Sequence, residues 1–177
     1  TGMTAQPDGK IIVVGTCDVS DFTIVRYLAN GALDTTFSGD GVVFVDFGFV
    51  NEVPFGVQIQ ADGKIVVAGT TSSPATPTGV VRLLPNGALD TSFDTDGKLL
   101  INSFVAAAVE LQSDGKIVIG GTTSNDFGIV RLNPNGSSDT TFDTDGRVTT
   151  NIEADDRLSD IKIQTDGKIV AVGRASV

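Results

Sequence analysis

The chain has 177 residues, 40% of them hydrophobic and 19% charged, the balance of a globular rather than a disordered polypeptide. Its formal charge is −10, from 12 Lys and Arg against 22 Asp and Glu, which argues against phosphate-backbone binding, since that needs clustered cations, and against docking on anionic lipid. A basic partner, a neutral glycan or a metal ion suits that charge better. There is no histidine and one cysteine, Cys17, which removes Ser-His-Asp and Cys-His catalysis, zinc sites and intrachain disulfides.

The first element in chain order is a marker, Gln-x-Asp-Gly-Lys-Ile, at Gln6 to Ile11. It returns at Gln60, Gln112 and Gln164, with spacings of 54, 52 and 52 residues. Residues before the marker predict a strand, a, clearest at Phe55 to Gln60, Ala107 to Gln112 and Leu158 to Gln164. Asp-Gly then predicts a tight hairpin turn, because glycine accepts positive φ. Strand b follows, as in Ile65 to Gly69. It is apolar at successive positions, so both of its faces should be buried.

Strand c is clearest at Phe127 to Leu132 and contains an arginine, Arg26, Arg82 or Arg131. An Asn-Gly pair comes next, then Asp-Thr-(Thr/Ser)-Phe at Asp34 to Phe37, Asp90 to Phe93 and Asp139 to Phe142. A second Asp-Gly precedes strand d, at Val42 to Val45, Lys98 to Ile101 and Arg147 to Thr150. Strand d carries more Lys, Arg and Thr, as an edge strand should.

Four antiparallel strands per ~40–50 residues is the size of a propeller blade. The fold expected is therefore all-β: tandem four-stranded antiparallel blades of a β-propeller, about three and a half in this chain. Residues 1–177 form one partial array, with repeats near 1–54, 55–106 and 107–158 and a partial one at 159–177. The chain opens and stops in mid-repeat and shows no signal peptide, as a mature product or an excerpt would. Strand b at Ile169 to Gly173 is expected to be an open apolar edge that invites pairing.

The run from Gln60 to Gly69, followed by Val81-Arg82-Leu83, Pro85-Asn86-Gly87, Leu89-Asp90-Thr91-Ser92-Phe93 and Asp96-Gly97, resembles the bacterial delta-60 repeat family. The likeness extends over essentially the whole chain. It implies a β-propeller class of large secreted or surface proteins, with no established activity and no catalytic residues. The first repeat departs from the pattern, with Ser38-Gly39 in place of Asp-Thr.

Loop lengths nominate a functional face. The distance from the strand c arginine to the following Asp-Gly glycine is 15 residues in all three repeats. The b–c distance is 11, 13 or 10 residues, and the d–a distance is 19, 15 or 18. In an up-and-down blade both variable connections emerge at one end, and loops on a rigid scaffold carry function. The candidate ligand-binding residues there are Asp18, Asp21, Glu52, Asn125, Asp126, Glu153, Asp155 and Asp156.

Asp94 with Asp96, and Asp143 with Asp145, place two carboxylates before a glycine. That spacing suits either calcium or a simple Asp-Gly turn, and no full calcium-loop pattern follows. Arg26, Arg82 and Arg131 are expected to staple the c–d segment through bidentate pairs with Asp34, Asp90 and Asp139. Phe37, Phe93 and Phe142 are expected to plug each blade rather than to stack on sugars.

No cofactor is expected, calcium excepted. The reading is a non-catalytic, extracellular or cell-surface bacterial scaffold that presents its variable loops to a protein, glycan or matrix partner, without nucleic acid or membrane insertion. The alternative is a structural protein that self-assembles by edge pairing. A glycan-active enzyme using two carboxylates ranks third.

Overall fold

The computed structural model describes residues 2–17, 21–72 and 77–176. Among them there are 14 strands and no helix, hence no helix long and apolar enough to cross a membrane. Three four-stranded antiparallel sheets follow one another. They are β1(Gly2–Ala5) to β4(Val42–Val45), β5(Val50–Ile59) to β8(Lys98–Ile101), and β9(Val105–Leu111) to β12(Arg147–Thr150). A two-stranded sheet of β13(Asp155–Ile163) and β14(Ile169–Ser176) completes the series. Strand order within each sheet is sequential, so strands a and d are the edges of every complete blade. Between blades, β1, β5, β9 and β13 meet in succession, which places strand a innermost.

The Asp-Gly turns form as their sequence dictates. Gly9, Gly63, Gly115 and Gly167 all have φ between 82° and 85°. The aspartate before each accepts the N–H of the lysine after it. Strand a is longer than its sequence indicates: β5 begins at Val50, before Pro54, and its register slips twice against β6(Ile65–Ser72). The bulges around Pro54 break the alternation that would have revealed the strand.

The core lies in the seams between blades. In the first, Ile12, Val14 and Ile24 pack on Val57, Ile65, Val67, Val81 and Leu83. In the second, Val66, Ala68 and Val80 pack on Val109, Ile117, Ile119, Val130 and Leu132. Ala108 and Val118 meet Leu158 and Ile161 in the third. Strand b of the two middle blades therefore feeds two seams at once. Ile65 to Ala68 and Ile117 to Ile119 are all fully buried. In the flanking blades one face lacks a neighbour, and burial alternates along β2(Ile11–Thr16).

Candidate functional site

The antiparallel order puts the a–b and c–d turns at one end of the stack and the b–c and d–a loops at the other. The first end is held by a bond pattern repeated in every complete blade. Asp34, Asp90 and Asp139 N–H groups donate to the carbonyls of Arg26, Arg82 and Arg131. Gly41, Gly97 and Gly146 donate back to Phe37, Phe93 and Phe142. A closed circuit of this kind cannot absorb an extra residue, which explains the invariant 15-residue spacing.

The arginine pair differs from the bidentate staple expected of it. Arg26, Arg82 and Arg131 each give one N–H, from Nε, to Oδ2 of Asp34, Asp90 or Asp139, at 2.8, 2.7 and 2.7 Å. The other carboxylate oxygen accepts the hydroxyl and N–H of Thr36, Ser92 or Thr141. The two remaining nitrogens part ways: Nη2 donates to the Thr36 or Ser92 hydroxyl of the same blade, and Nη1 of Arg26 and Arg82 donates to the Pro85 or Pro134 carbonyl of the following blade. The guanidinium thus ties two blades together, because the short, buried aspartate has one oxygen already engaged.

Each arginine also lies over the ring of Phe37, Phe93 or Phe142, at 4.5, 4.9 and 4.5 Å. Phe37 and Phe93 are fully buried, close against Gly87 and Gly136 of the next blade's Asn-Gly turn. Lys10, Lys64 and Lys116 approach the same aspartates at 3.2, 3.3 and 3.1 Å. The recurring Lys of the a–b turn was the overlooked sequence signal for this second tie.

Asp34 is held far below the usual carboxylate range by the Thr36 hydroxyl, against its burial, with help from Lys10 and Arg26. Asp139 behaves likewise through Thr141, Lys116 and Arg131. Burial pushes Asp90 up, but Ser92, Arg82 and Lys64 together bring it down to about 2.

Asp94, Asp96, Asp143 and Asp145 lie at this same end and serve as turn formers. Asp96 and Asp145 accept the N–H of Lys98 and Arg147, both at 2.8 Å. Among the described residues neither pair gains a third carboxylate to complete a cation site. Asp94-Thr95 and Asp143-Thr144 adopt left-handed backbone, with φ of 44° and 69°, and 47° and 67°. The first blade uses Ser38-Gly39 there, so its departure from the repeat relieves strain. Replacing Thr95 by glycine should stabilise the chain by about 1 kcal/mol, since a branched residue resists this conformation. A higher urea midpoint is the expected readout, and a lower one would show the threonine to be stabilising.

The opposite end is acidic and irregular. Asp21, Asp126 and Asp155 are half-buried, while Asn125 and Glu153 are exposed. Asp18 lies outside the described residues. Glu52 and Asp156, nominated as surface ligands, are instead fully buried. Glu52 accepts the N–H groups of Phe47 and Phe49, and Asp156 those of Ile152 and Glu153. In the first and third d–a loops, N–H groups turn inward and a buried carboxylate satisfies them. Burial pushes the Glu52 carboxyl up despite its two N–H donors, and Asp46 and Asp21 add to the effect. Asp21, Asp46 and Glu52 have carboxylate oxygens within 4.8 Å of one another, a donor set of the kind a hard cation takes.

A further concavity, of about 720 Å³, opens at the a–b end near the axis, lined by Gln60, Gln112 and Gln164 with Ile59, Leu111 and Ile163. The side-chain oxygens of Gln60 and Gln112 are buried there without a hydrogen-bond partner among the described residues.

Four-stranded blades stacked about innermost strands, with one fixed end and one variable end, are the architecture of a β-propeller repeat protein. The family described as "Domain of unknown function (DUF5122) beta-propeller" matches residues 6–37, 60–93 and 112–142, more than half of the chain, and the chain belongs to it. No curated protein matches the sequence.

Proposed function

We propose that this chain is a non-catalytic binding scaffold of the delta-60 repeat class, displayed outside a bacterial cell. Its b–c and d–a loops meet a protein, glycan or matrix partner. The observation that carries the reading is the asymmetry of the two ends. One is fixed by the same hydrogen-bond circuit in every complete blade. The other varies in length, yet two of its loops are braced from inside by Glu52 and Asp156. Braced loops that differ from blade to blade are what selective recognition on a rigid frame requires. Their outward groups, Asp21, Asp46, Asp126, Glu153 and Asp155, favour a basic partner surface.

The test is an array of extracellular proteins, matrix components and glycans probed with the labelled chain. Neutralising Asp21, Asp126, Glu153 and Asp155 to Asn or Gln should abolish the hits. Neutralising Asp8, Asp62, Asp114 and Asp166, at the other end, should leave them intact. No hit at all, or equal loss from both variants, would contradict the reading.

A further inference from the structure

The side chain that opens each Gln-x-Asp-Gly-Lys marker has no part in the turn the marker builds. The turn uses the glutamine backbone alone. Gln60 N–H donates to the Lys64 carbonyl and its own carbonyl accepts the Gly63 N–H, and the same two bonds form at Gln6, Gln112 and Gln164. Any residue with a backbone N–H could make them. The amide side chain nevertheless recurs four times. At Gln6, Gln60 and Gln112 its oxygen is buried without a donor among the described residues. Gln112 Nε2 donates to the Gly167 carbonyl of the next blade at 3.2 Å, so that amide is held by its nitrogen with its oxygen left over. A buried acceptor without a donor is destabilising, and its repetition calls for a partner.

Gln60, Gln112 and Gln164 line the concavity of about 720 Å³ at the a–b end, each beside the half-buried aliphatic residue that precedes it, Ile59, Leu111 or Ile163. That volume lies within the range of small-molecule sites, ~300–1,000 Å³. Asp114 is the one charged residue of the lining, and Lys116 balances it at 3.5 Å. An ionic ligand would be desolvated there without a free counter-charge. We propose that the marker glutamines form a binding site for a neutral saccharide of one or two rings. Its hydroxyls bond the amides, and a C–H face of the ring lies on the aliphatic residues. A hydroxyl both donates and accepts, which matches an amide whose oxygen needs a donor and whose nitrogen needs an acceptor. The site is at the fixed end of the array, opposite the variable loops, and does not rest on the loop-end reading.

The experiment is a titration of the isotope-labelled chain, followed by nuclear magnetic resonance through the side-chain amides of Gln60 and Gln112. The probes are D-glucose, D-galactose, N-acetyl-D-glucosamine and cellobiose, with D-glucuronate as the charged comparison. At least one neutral sugar should shift these resonances saturably, and glucuronate should not. Magnetisation should also pass from the C–H protons of that sugar to the Ile59 and Leu111 methyls. Gln60→Leu combined with Gln112→Leu should weaken binding about tenfold, the loss of a pair of neutral hydrogen bonds, with the far-ultraviolet spectrum unchanged. Should the double variant fail to fold, the wild-type shifts and methyl contacts decide by themselves. Amide resonances that respond to no sugar would overturn the proposal and leave the glutamines with bound water only. So would an equal response to glucuronate, shifts confined to the loop end, or a folded double variant that binds undiminished.

Discussion

Replacing Arg82 by alanine lowers the unfolding free energy by about 3 kcal/mol, the typical loss when one partner of a buried ion pair is removed. The side chain is almost completely buried and serves four partners: the Asp90 carboxylate, the Ser92 hydroxyl, the Pro134 carbonyl of the next blade, and the Phe93 ring beneath it. Truncation leaves Asp90 buried with only Lys64, at 3.3 Å, to balance its charge. The loss should spread, because the same contact joins the second blade to the third. Arg131 has Asp139 and Phe142 but no following proline among its partners, and its side chain is 17% exposed against 4% for Arg82. Arg131→Ala should therefore cost clearly less, and equal costs would refute the inter-blade role of Arg82.

The same latch makes the fold acid-sensitive. Asp90 lies at about 2 in the folded chain against an ordinary value of 3.8. A depressed carboxylate contributes stability that is fully present above its unfolded value and is lost as pH falls from 3.8 towards 2. Asp34 and Asp139, lowered further, extend the loss in the same direction. Thermal melts between pH 5 and pH 2 should fall steeply in the lower half of that range, and less steeply in Asp90→Asn.

Gly69→Ala is the second severe substitution. A β-carbon there would stand 2.3 Å from the Phe22 ring of the preceding blade, 2.4 Å from the Val53 carbonyl oxygen and 2.6 Å from the Pro54 α-carbon. Two of those three are backbone atoms that cannot step aside, so the bulged strand β5 has to move from β6. A cost of about 3 kcal/mol or more is expected, at the upper end for overpacking a rigid core. Gly173 occupies the equivalent place, against the Arg157 carbonyl and the Phe127 ring. Gly31, with nothing near its added β-carbon but a φ of 84°, should show only the smaller conformational penalty. Urea melts of Gly69→Ala and Gly31→Ala compare the two effects directly, and similar midpoints would contradict the close approach.

Much of this fold was legible because it is written three times over. The Gln-x-Asp-Gly-Lys marker located each a–b turn, and the doubly apolar run at Ile65 to Ala68 announced a strand packed on both faces. Strand d was placed at its observed limits in all three blades. Other features were hidden because they depend on partners distant in sequence. The span of Arg26 and Arg82 onto the next blade's proline carbonyl leaves no local trace, since any residue offers a carbonyl. The burial of Glu52 and Asp156 could not be seen for a related reason: a carboxylate in a variable loop reads as solvent-facing until the inward N–H groups of that loop are located. Phe142 shows how context decides the fate of equivalent residues. It is only half-buried, where Phe37 and Phe93 are fully enclosed by the turn of the next blade.

Stability is stored in the seams between blades, with strand b of the middle blades as the shared element. Amide hydrogen exchange of the whole chain tests it most directly. The slowest exchange is expected in Ile65 to Ala68 and Ile117 to Ile119, with intermediate rates in β2 and the fastest strand exchange in β14. Uniform protection across the four strand b segments, or the strongest protection in β14, would contradict it.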